Sequence, residues 1–296
     1  MQYRTLGSTG ISVSVVGVGT WQFGGEWGHD FTPGEVDAIL GTAREEGLNL
    51  IDTAECYGDH LSESLIGGRL RHERDQWVLA TKFGHSFHHF MDRTRHWTGE
   101  AMRGQLEASL KALQTDYVDL LQFHSPTDEE FLNEELWREL EKVKQEGLVR
   151  HVGLSVSNNG NVMQVERSPE AHCETLQVVY NRLDRVPEEE VLPAAQRLNI
   201  GVLARVPLAS GFLGGRHKPG AQFPPNDWRS TMDREKREAL LAEAQRVHRE
   251  EVPSGASLAE WALVWPLRHG AVTAVIPGCR TAEQVRDNAR AVRLLG

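Results

Sequence analysis

Short apolar runs rich in β-forming residues recur along the chain, and stretches with helical periodicity separate them. The runs cover residues 14–19, 48–53, 77–81, 117–123, 149–155, 175–180, 200–206 and 272–276. Strands that are apolar along nearly their whole length are typical of a parallel sheet covered on both faces. Eight parallel strands that alternate with about eight helices predict a (β/α)8 barrel, an α/β fold of the TIM-barrel type.

Capping residues mark where several of the predicted helices begin and end. Thr32 precedes Pro33 and is followed three residues later by Glu35, which is the spacing of a capping box with proline at the first helical position. Gly47 supplies a stop signal for the same helix. The pairs Ser257–Glu260 and Thr281–Gln284 have the same spacing before the last two helices.

Two segments fall outside the strand–helix alternation. Residues 3–16 contain two extended stretches separated by Gly7 and Gly10, which predicts a β-hairpin ahead of the barrel. Residues 209–231 form a long irregular stretch rich in Gly and Pro, and a polar helix is predicted near residues 233–249. Loops of this length are usually functional or disordered. No linker divides the chain, so residues 1–296 are predicted to form one barrel domain with a long covering loop after strand 7.

Composition excludes several classes of partner. The formal net charge of −10, with no basic run, is a poor match for nucleic acid or for an anionic membrane surface. Cys56, Cys173 and Cys279 lie far apart without metal-binding spacing, which favours a reducing compartment. Neither a signal-peptide core nor an 18-residue apolar span is present. We therefore expect a soluble cytoplasmic protein.

Four reactive side chains follow neighbouring strands of the predicted barrel. Asp52 ends the second run, Tyr57 comes five residues later, Lys82 follows the third run, and His124 follows the fourth. Because function in such barrels gathers where strands end, these groups are expected at one rim. Each alone is more often a loop charge or a packing residue, but four together are hard to explain by coincidence.

The four side chains suggest acid catalysis by a phenol. A buried ammonium needs a partner, and Asp52 on the neighbouring strand is the natural one for Lys82. The Lys82 charge is then expected to lower the pKa of Tyr57 from about 10 toward neutrality, which makes the phenol a usable general acid. His124 can hydrogen-bond the oxygen of an incoming carbonyl group.

Longer blocks of sequence strengthen this interpretation. The segments GVGTWQFGG, DTAECYG, ATKFG, LLQFHSP, HVGLSVS, QVVYN, VPLASGFLGG and IPGCRTAEQVRDN occur in this order along the chain. In these blocks the chain resembles the aldo-keto reductase family over nearly its full length, and among its branches the bacterial reductases related to the potassium-channel β-subunit. The resemblance implies an NADPH-dependent reductase of small aldehydes or ketones, with Asp52, Tyr57, Lys82 and His124 as its catalytic tetrad.

The resemblance also implies a cofactor extended across the barrel mouth. Its nicotinamide end is assigned to Gly19, Thr20, Trp21 and Asp52, with Ser155 and Gln177 on the carboxamide and Tyr180 stacked on the ring. Its pyrophosphate is assigned to Pro207, Leu208, Gly211 and Leu213. Its adenosine end is assigned to Gly278, Arg280, Gln284 and Asn288.

Two departures from the family pattern affect these assignments. Val156 follows Ser155 where many members have Asn, which leaves one carboxamide contact unsupplied. Gly278 and Cys279 replace a Lys-Ser pair, so the 2′-phosphate depends on Arg280, and NADH is the alternative cofactor to NADPH.

Other interpretations of the same sequence stay open. The main alternative is a cofactor-binding regulatory module that senses redox state and turns over slowly. His85, His88, His89 and His96 cluster after the third run, which invites a zinc site. Without carboxylate or cysteine ligands at suitable spacing we predict no metal there and favour a loop that faces the substrate. Substrate, reaction direction and oligomeric state are not determined by the sequence. Five aromatic residues are candidates either for a pocket wall or, equally, for packing in the core: Trp21, Trp27, Phe83, Phe87 and Trp228.

Overall fold

The computed structural model describes all residues, 1–296, as strands alternating with helices. The strands are β1 (Tyr3–Thr5), β2 (Ser12–Ser14), β3 (Val18–Gly19), β4 (Leu50–Asp52), β5 (Val78–Phe83), β6 (His85–His89), β7 (Asp92–Arg95), β8 (Val118–His124), β9 (Val149–Ser155), β10 (Cys173–Val179), β11 (Gly201–Arg205) and β12 (Val272–Ile276). The helices are α1 (Pro33–Glu45), α2 (Leu61–Glu73), α3 (Gly99–Leu113), α4 (Asp128–Phe131), α5 (Glu134–Gln145), α6 (Val162–Arg167), α7 (Val191–Arg197), α8 (Arg234–Glu250), α9 (Leu258–Val264) and α10 (Ala282–Ala291). None of the helices combines the length and the apolar character needed to cross a membrane.

Eight parallel strands make up the central sheet. Their order is β3-β4-β5-β8-β9-β10-β11-β12, so neighbours in the sheet follow each other in the chain once the β6–β7 hairpin is set aside. Parallel bridges between Val16 and Val275 and between Gly19 and Gly278 join the two edges. The sheet is thereby nearly closed, and the predicted (β/α)8 barrel is confirmed.

Each of the eight predicted runs corresponds to a strand of the barrel, but the first is interrupted. Residues 14–19 divide between the end of β2 and the short β3. Between them the Ser14 hydroxyl donates to the carbonyl of Val16 (2.7 Å), and the Asn49 side chain accepts from the Ser14 amide (2.7 Å). These side-chain bonds accompany the change of partner in this stretch, where Ser14 pairs with β1 and Val16 pairs with β12.

The predicted N-terminal hairpin is present and closes the bottom of the barrel. Strands β1 and β2 pair in antiparallel register. Leu6 and Val13 from this hairpin join Leu50, Leu120 and Leu203 in an apolar cluster inside the barrel. A larger cluster lies outside the sheet, between the strands and the helices.

Two of the three capping boxes expected from the sequence are present. At Thr32 and at Ser257 both halves of the capping box form. Thr281 also accepts from the amide of Gln284 (3.2 Å), but the Gln284 side-chain oxygen accepts from the amide of Arg280 (2.7 Å) instead of completing the box.

A second hairpin was not expected from the sequence. Strands β6 and β7 pair in antiparallel register and turn at Met91, whose φ is 58°. The segment is rich in His and Arg and has no apolar face to indicate strands. It rises from the end of β5 and stands beside the upper rim of the barrel.

Candidate active site

A polar layer lies directly above the apolar interior of the barrel. Side chains on a strand alternate between its two faces, so a residue two positions beyond an inward-facing one also points inward. Asp52 stands two residues beyond Leu50, and Lys82 two residues beyond Ala80; Leu50 and Ala80 both belong to the inner cluster. Along each strand, the inward-facing positions therefore change from apolar residues to charged ones toward the carboxyl end.

Lys82 and Asp52 form a buried ion pair in this layer. The Lys82 Nζ donates to Asp52 Oδ2 (2.8 Å) and to the carbonyl oxygen of Thr53 (2.6 Å), and only 1% of the Lys82 side chain is exposed. The other carboxylate oxygen of Asp52 accepts from the side-chain amides of Gln122 (3.1 Å) and Gln177 (2.7 Å). Burial favours the neutral amine, but the nearby Asp52 more than offsets it, so the pKa of Lys82 is raised and the ammonium keeps its charge.

Tyr57 completes the arrangement above Lys82. The Lys82 Nζ lies 3.5 Å from the Tyr57 hydroxyl oxygen and 5.1 Å from the centre of its ring. The prediction that Lys82 brings the phenol toward neutrality is wrong for this structure, because burial outweighs the opposing effect of Lys82 and raises the pKa of Tyr57 to about 12. The Tyr57 phenol therefore stays protonated at neutral pH and has a proton to donate.

His124 ends β8 beside Tyr57, and the two ring centres are 6.0 Å apart. Its Nδ1 faces Glu55 Oε1 (3.4 Å) and the thiol of Cys56 (3.6 Å). Burial lowers the pKa of His124, although the Glu55 carboxylate opposes that shift. Since Nδ1 is directed toward Glu55 and Cys56, Nε2 is the nitrogen left for another partner.

A cavity of about 550 Å³ opens at the carboxyl ends of the barrel strands, and we refer to it as the mouth cavity. Most of the residues assigned to the cofactor line it. These are Gly19, Thr20, Trp21, Asp52, Gln177, Pro207, Leu208, Gly211, Gly278, Arg280, Gln284 and Asn288. Tyr57 lines the same cavity, which places the phenol and the proposed cofactor residues around one space.

Three assigned cofactor residues do not line the mouth cavity. Tyr180 lies on the outer face of the sheet, where its ring packs 5.2 Å from that of Trp265 and its hydroxyl donates to Glu188 (2.7 Å). The prediction that it stacks on a nicotinamide ring is wrong in this placement, because Gln177 and Tyr180 differ by an odd number of positions and face opposite sides.

Leu213 and Ser155 are the other two. Leu213 belongs to the long loop and is fully buried in a separate apolar cluster with residues of α8 and α9, so it anchors the loop to those helices. Ser155 is buried behind Gln177, and its hydroxyl lies 3.4 Å from the Gln177 side-chain oxygen. Ser155 can therefore orient Gln177 without itself lining the cavity.

One end of the mouth cavity is strongly basic, and the sequence had indicated only Arg280 there. We define the basic end by Arg216, His217, Arg229 and Arg280. Asp227 is the carboxylate that accompanies them: it accepts two bonds from Arg229 (2.9 and 2.6 Å) and lies 3.9 Å from Arg280. Arg216, His217 and Arg229 come from the long loop, whose conformation could not be read from its Gly/Pro-rich sequence.

Three of the five aromatic candidates form a wall between Tyr57 and the basic end, where the Arg229 guanidinium lies 5.3 Å from the centre of the Trp27 ring. The ring of Trp21 lies 5.2 Å from Trp27, 5.8 Å from Trp228 and 6.2 Å from Tyr57. Phe83 is instead fully buried in the outer core, and Phe87 lies on the hairpin beneath Arg93. The wall joins the start of the barrel to the long loop.

Of the histidines considered for zinc, only His88 and His96 share a partner, and His89 lies 3.4 Å from Asp92. His85 approaches the carbonyl of His124 (2.7 Å), whereas His88 and His96 both bond the hydroxyl of Thr94. The donor atoms that do converge belong to Glu55, Cys56 and His124, all within 4.8 Å of one another.

The chain is similar to known proteins over nearly its full length. The model of the Aldo/keto reductase family matches residues 15–295. An uncharacterized oxidoreductase, YrpG, of Bacillus subtilis is 34% identical over 99% of this chain and 92% of its own length. The aldo-keto reductase YhdN of the same organism is 34% identical over 78% of this chain and 69% of its own length.

Solved structures agree with the family model. The holo form of the aldo-keto reductase AKR11C1 from Bacillus halodurans superposes with a TM-score of 0.83 at 30% identity, covering 99% of this chain and 91% of that one. The glycerol dehydrogenase AKR11B4 from Gluconobacter oxydans gives the same TM-score and identity over 98% and 89%. The chain belongs to the aldo/keto reductase family of oxidoreductases.

Proposed function

We propose that the protein reduces aldehydes or ketones to alcohols with NADPH, and that Tyr57 donates the proton. The observation that supports this most is the buried chain Asp52–Lys82–Tyr57, which ends on a phenol in the wall of the mouth cavity. Membership of a family of oxidoreductases agrees with that chemistry.

The residues of the mouth cavity fit a nicotinamide dinucleotide. A cavity of about 550 Å³ lies within the range of cofactor sites. Gly211 and Ser210 adopt left-handed backbone conformations, with φ of 87° and 58°, in the loop assigned to the pyrophosphate. A Cβ at Gly278 would come within 2.6 Å of the Gln22 side-chain oxygen, so a larger residue here would have to displace the Gln22 amide.

Each end of the cavity suits one end of such a cofactor. Gln177 presents an amide at the Tyr57 end, where it can bond a carboxamide, and the basic end can hold phosphate groups. The basic end carries three arginines against Asp227, which supports NADPH over NADH because the former has an additional phosphate. Arg280 and the N-terminus of α10 are the groups we assign to that phosphate.

The side chains around Tyr57 define how a proton is delivered. When bound, the reduced nicotinamide supplies a hydride to the carbonyl carbon. Lys82 donates to the Tyr57 oxygen, so the phenol's own proton is free to point toward an acceptor in the cavity. His124 offers Nε2 to the carbonyl oxygen, and Lys82 stabilises the tyrosinate that remains after proton transfer.

The test compares two tyrosine variants. Oxidation of NADPH is followed by absorbance with 4-nitrobenzaldehyde as the acceptor, for the wild type, Tyr57→Phe and Tyr180→Phe. We expect Tyr57→Phe to lose at least about a hundredfold in kcat, which is the usual contribution of a general acid. Tyr180→Phe removes a hydroxyl outside the cavity and serves as the matched control with near wild-type turnover.

Two results would contradict the proposal. Equal turnover by Tyr57→Phe and the wild type would remove Tyr57 as the acid. Negligible turnover by the wild type, together with tight cofactor retention, would favour the redox-sensing module.

All three cysteines are buried free thiols, which supports our placement of the enzyme in the reducing cytoplasm.

A further inference from the structure

Arg205 is a cation of the mouth cavity that neither the mechanism nor the phosphate sites use. It is the last residue of β11, two positions beyond Leu203 of the inner cluster, so it faces the barrel interior. It lines the same cavity as Tyr57 and Gln177. The surrounding strand is apolar, and the side chain lies one layer above Gln177, whose strand neighbour is Leu203.

The charge of Arg205 has no direct counter-ion. Its Nη2 donates to the carbonyl of Val156 (3.1 Å), and its buried Nε has no acceptor. The acidic groups that influence it from other elements are committed elsewhere: Asp52 to Lys82 at 2.8 Å, and Asp184 to the side-chain amide of Asn159 at 2.8 Å. Arg229, by contrast, is neutralised by Asp227.

The location of this charge matters for a nicotinamide. Burial is the main influence on the pKa of Tyr57, Lys82 opposes it, and Arg205 also opposes it, so the guanidinium acts on the reacting end of the cavity. The oxidised nicotinamide ring carries a positive charge and the reduced ring is neutral. The phosphates are the same in both forms, so the basic end cannot distinguish them.

We propose that Arg205 makes this site bind NADPH more tightly than NADP⁺, so that in a mixture of the two forms the site fills with the reduced one. This rests on the proposed function, because it requires the nicotinamide to lie at the Tyr57 end. The size can be illustrated with Coulomb's law: for an assumed separation of about 8 Å and an effective dielectric constant of about 20, the binding ratio would change by about 30-fold. The Lys82 charge contributes less, since Asp52 compensates it.

The experiment measures dissociation constants and needs no turnover. NADPH and NADP⁺ are titrated separately into the wild type, Arg205→Met, Arg205→Lys and Arg216→Met, with tryptophan fluorescence or calorimetry as the signal. We expect NADPH to bind more tightly to the wild type, and Arg205→Met to reduce that preference by about tenfold or more. Arg205→Lys keeps the charge and should keep most of the preference, whereas Arg216→Met should weaken both forms by a similar factor.

The outcomes separate this inference from others. A preference unchanged within about twofold in Arg205→Met would overturn it, as would an equal change of preference in Arg216→Met. If Arg205 instead binds an anionic substrate, Arg205→Met will lose kcat/KM for 4-carboxybenzaldehyde but not for 4-nitrobenzaldehyde, with the cofactor preference intact; that also overturns the inference. Absence of dinucleotide binding by the wild type would overturn the proposed function itself.

Discussion

Replacing Lys82 by Met tests the ion pair on which the polar layer depends. Met keeps the length of the side chain but removes the charge and the donors to Asp52 and Thr53. The Asp52 carboxylate, whose side chain is 5% exposed, then retains only the amides of Gln122 and Gln177 as partners. Removing one member of a buried pair usually costs about 3–5 kcal/mol, and the two remaining amide bonds place this variant near about 3 kcal/mol.

A second variant separates charge from packing. In Asp52→Asn combined with Lys82→Met no charge is left behind, so the double variant should unfold at a higher urea concentration than Lys82→Met alone. Unfolding can be followed by the fluorescence of the eight tryptophans, with linear extrapolation to water. The reasoning fails if Lys82→Met lies within about 1 kcal/mol of the wild type, or if the double variant is less stable than Lys82→Met.

Three further predictions concern pH and the cofactor. Because the pKa of Tyr57 is about 12, the phenol stays protonated, and kcat/KM for reduction should not fall between pH 7 and about pH 10; a decline centred near neutrality in a steady-state pH profile would contradict this. Arg280→Ala should weaken NADPH binding by about tenfold or more and leave NADH unchanged in a fluorescence titration, whereas an equal loss for both would remove Arg280 from the 2′-phosphate. Burial lowers the pKa of His85 to about 4 from an unfolded value near 6.5, so the stability that its neutral form provides is complete above pH 6.5 and is lost as the pH falls toward 4. Urea unfolding at pH 7 and pH 5 should show that the wild type loses about 2 kcal/mol more than His85→Gln, and equal losses would refute it.

The barrel could be predicted because its strands are buried on both faces and its helices carry local caps. Val149–Ser155 and Val272–Ile276 coincide with the predicted runs, since a strand buried between the barrel interior and the outer helices has a clear sequence signature. The hairpin β6–β7 could not be found in this way. Its strands are largely solvent-exposed and polar, so pairing between them leaves no apolar pattern.

The candidate site was predictable where strand alternation alone places a side chain. Asp52 and Lys82 follow inward-facing residues, so their meeting follows from the register of neighbouring strands. Tyr180 shows the limit of assignment by resemblance, because a difference of three positions from Gln177 turns it to the outer face. Arg205 is the one charged residue in the predicted run 200–206. Because it stands two positions beyond Leu203, strand alternation alone predicts that it faces the barrel interior.

The energetics of the site could not be obtained from the sequence. The direction of the Tyr57 pKa depends on the balance between burial and the charge of Lys82, and only the three-dimensional packing sets that balance. The same holds for the basic end, where Arg216 and Arg229 are brought beside Arg280 by a loop without regular structure.

The most direct test of the account is to follow the transferred hydrogen. NADPH deuterated at both C4 positions is mixed with 4-nitrobenzaldehyde and the enzyme, and the alcohol product is analysed by mass spectrometry. We predict one deuterium on the carbinol carbon with the wild type, and a loss of at least about a hundredfold in its rate of appearance with Tyr57→Phe. The central claim is that Tyr57 donates the proton that accompanies hydride transfer in the mouth cavity. An alcohol without deuterium, or transfer at an undiminished rate in Tyr57→Phe, would contradict it.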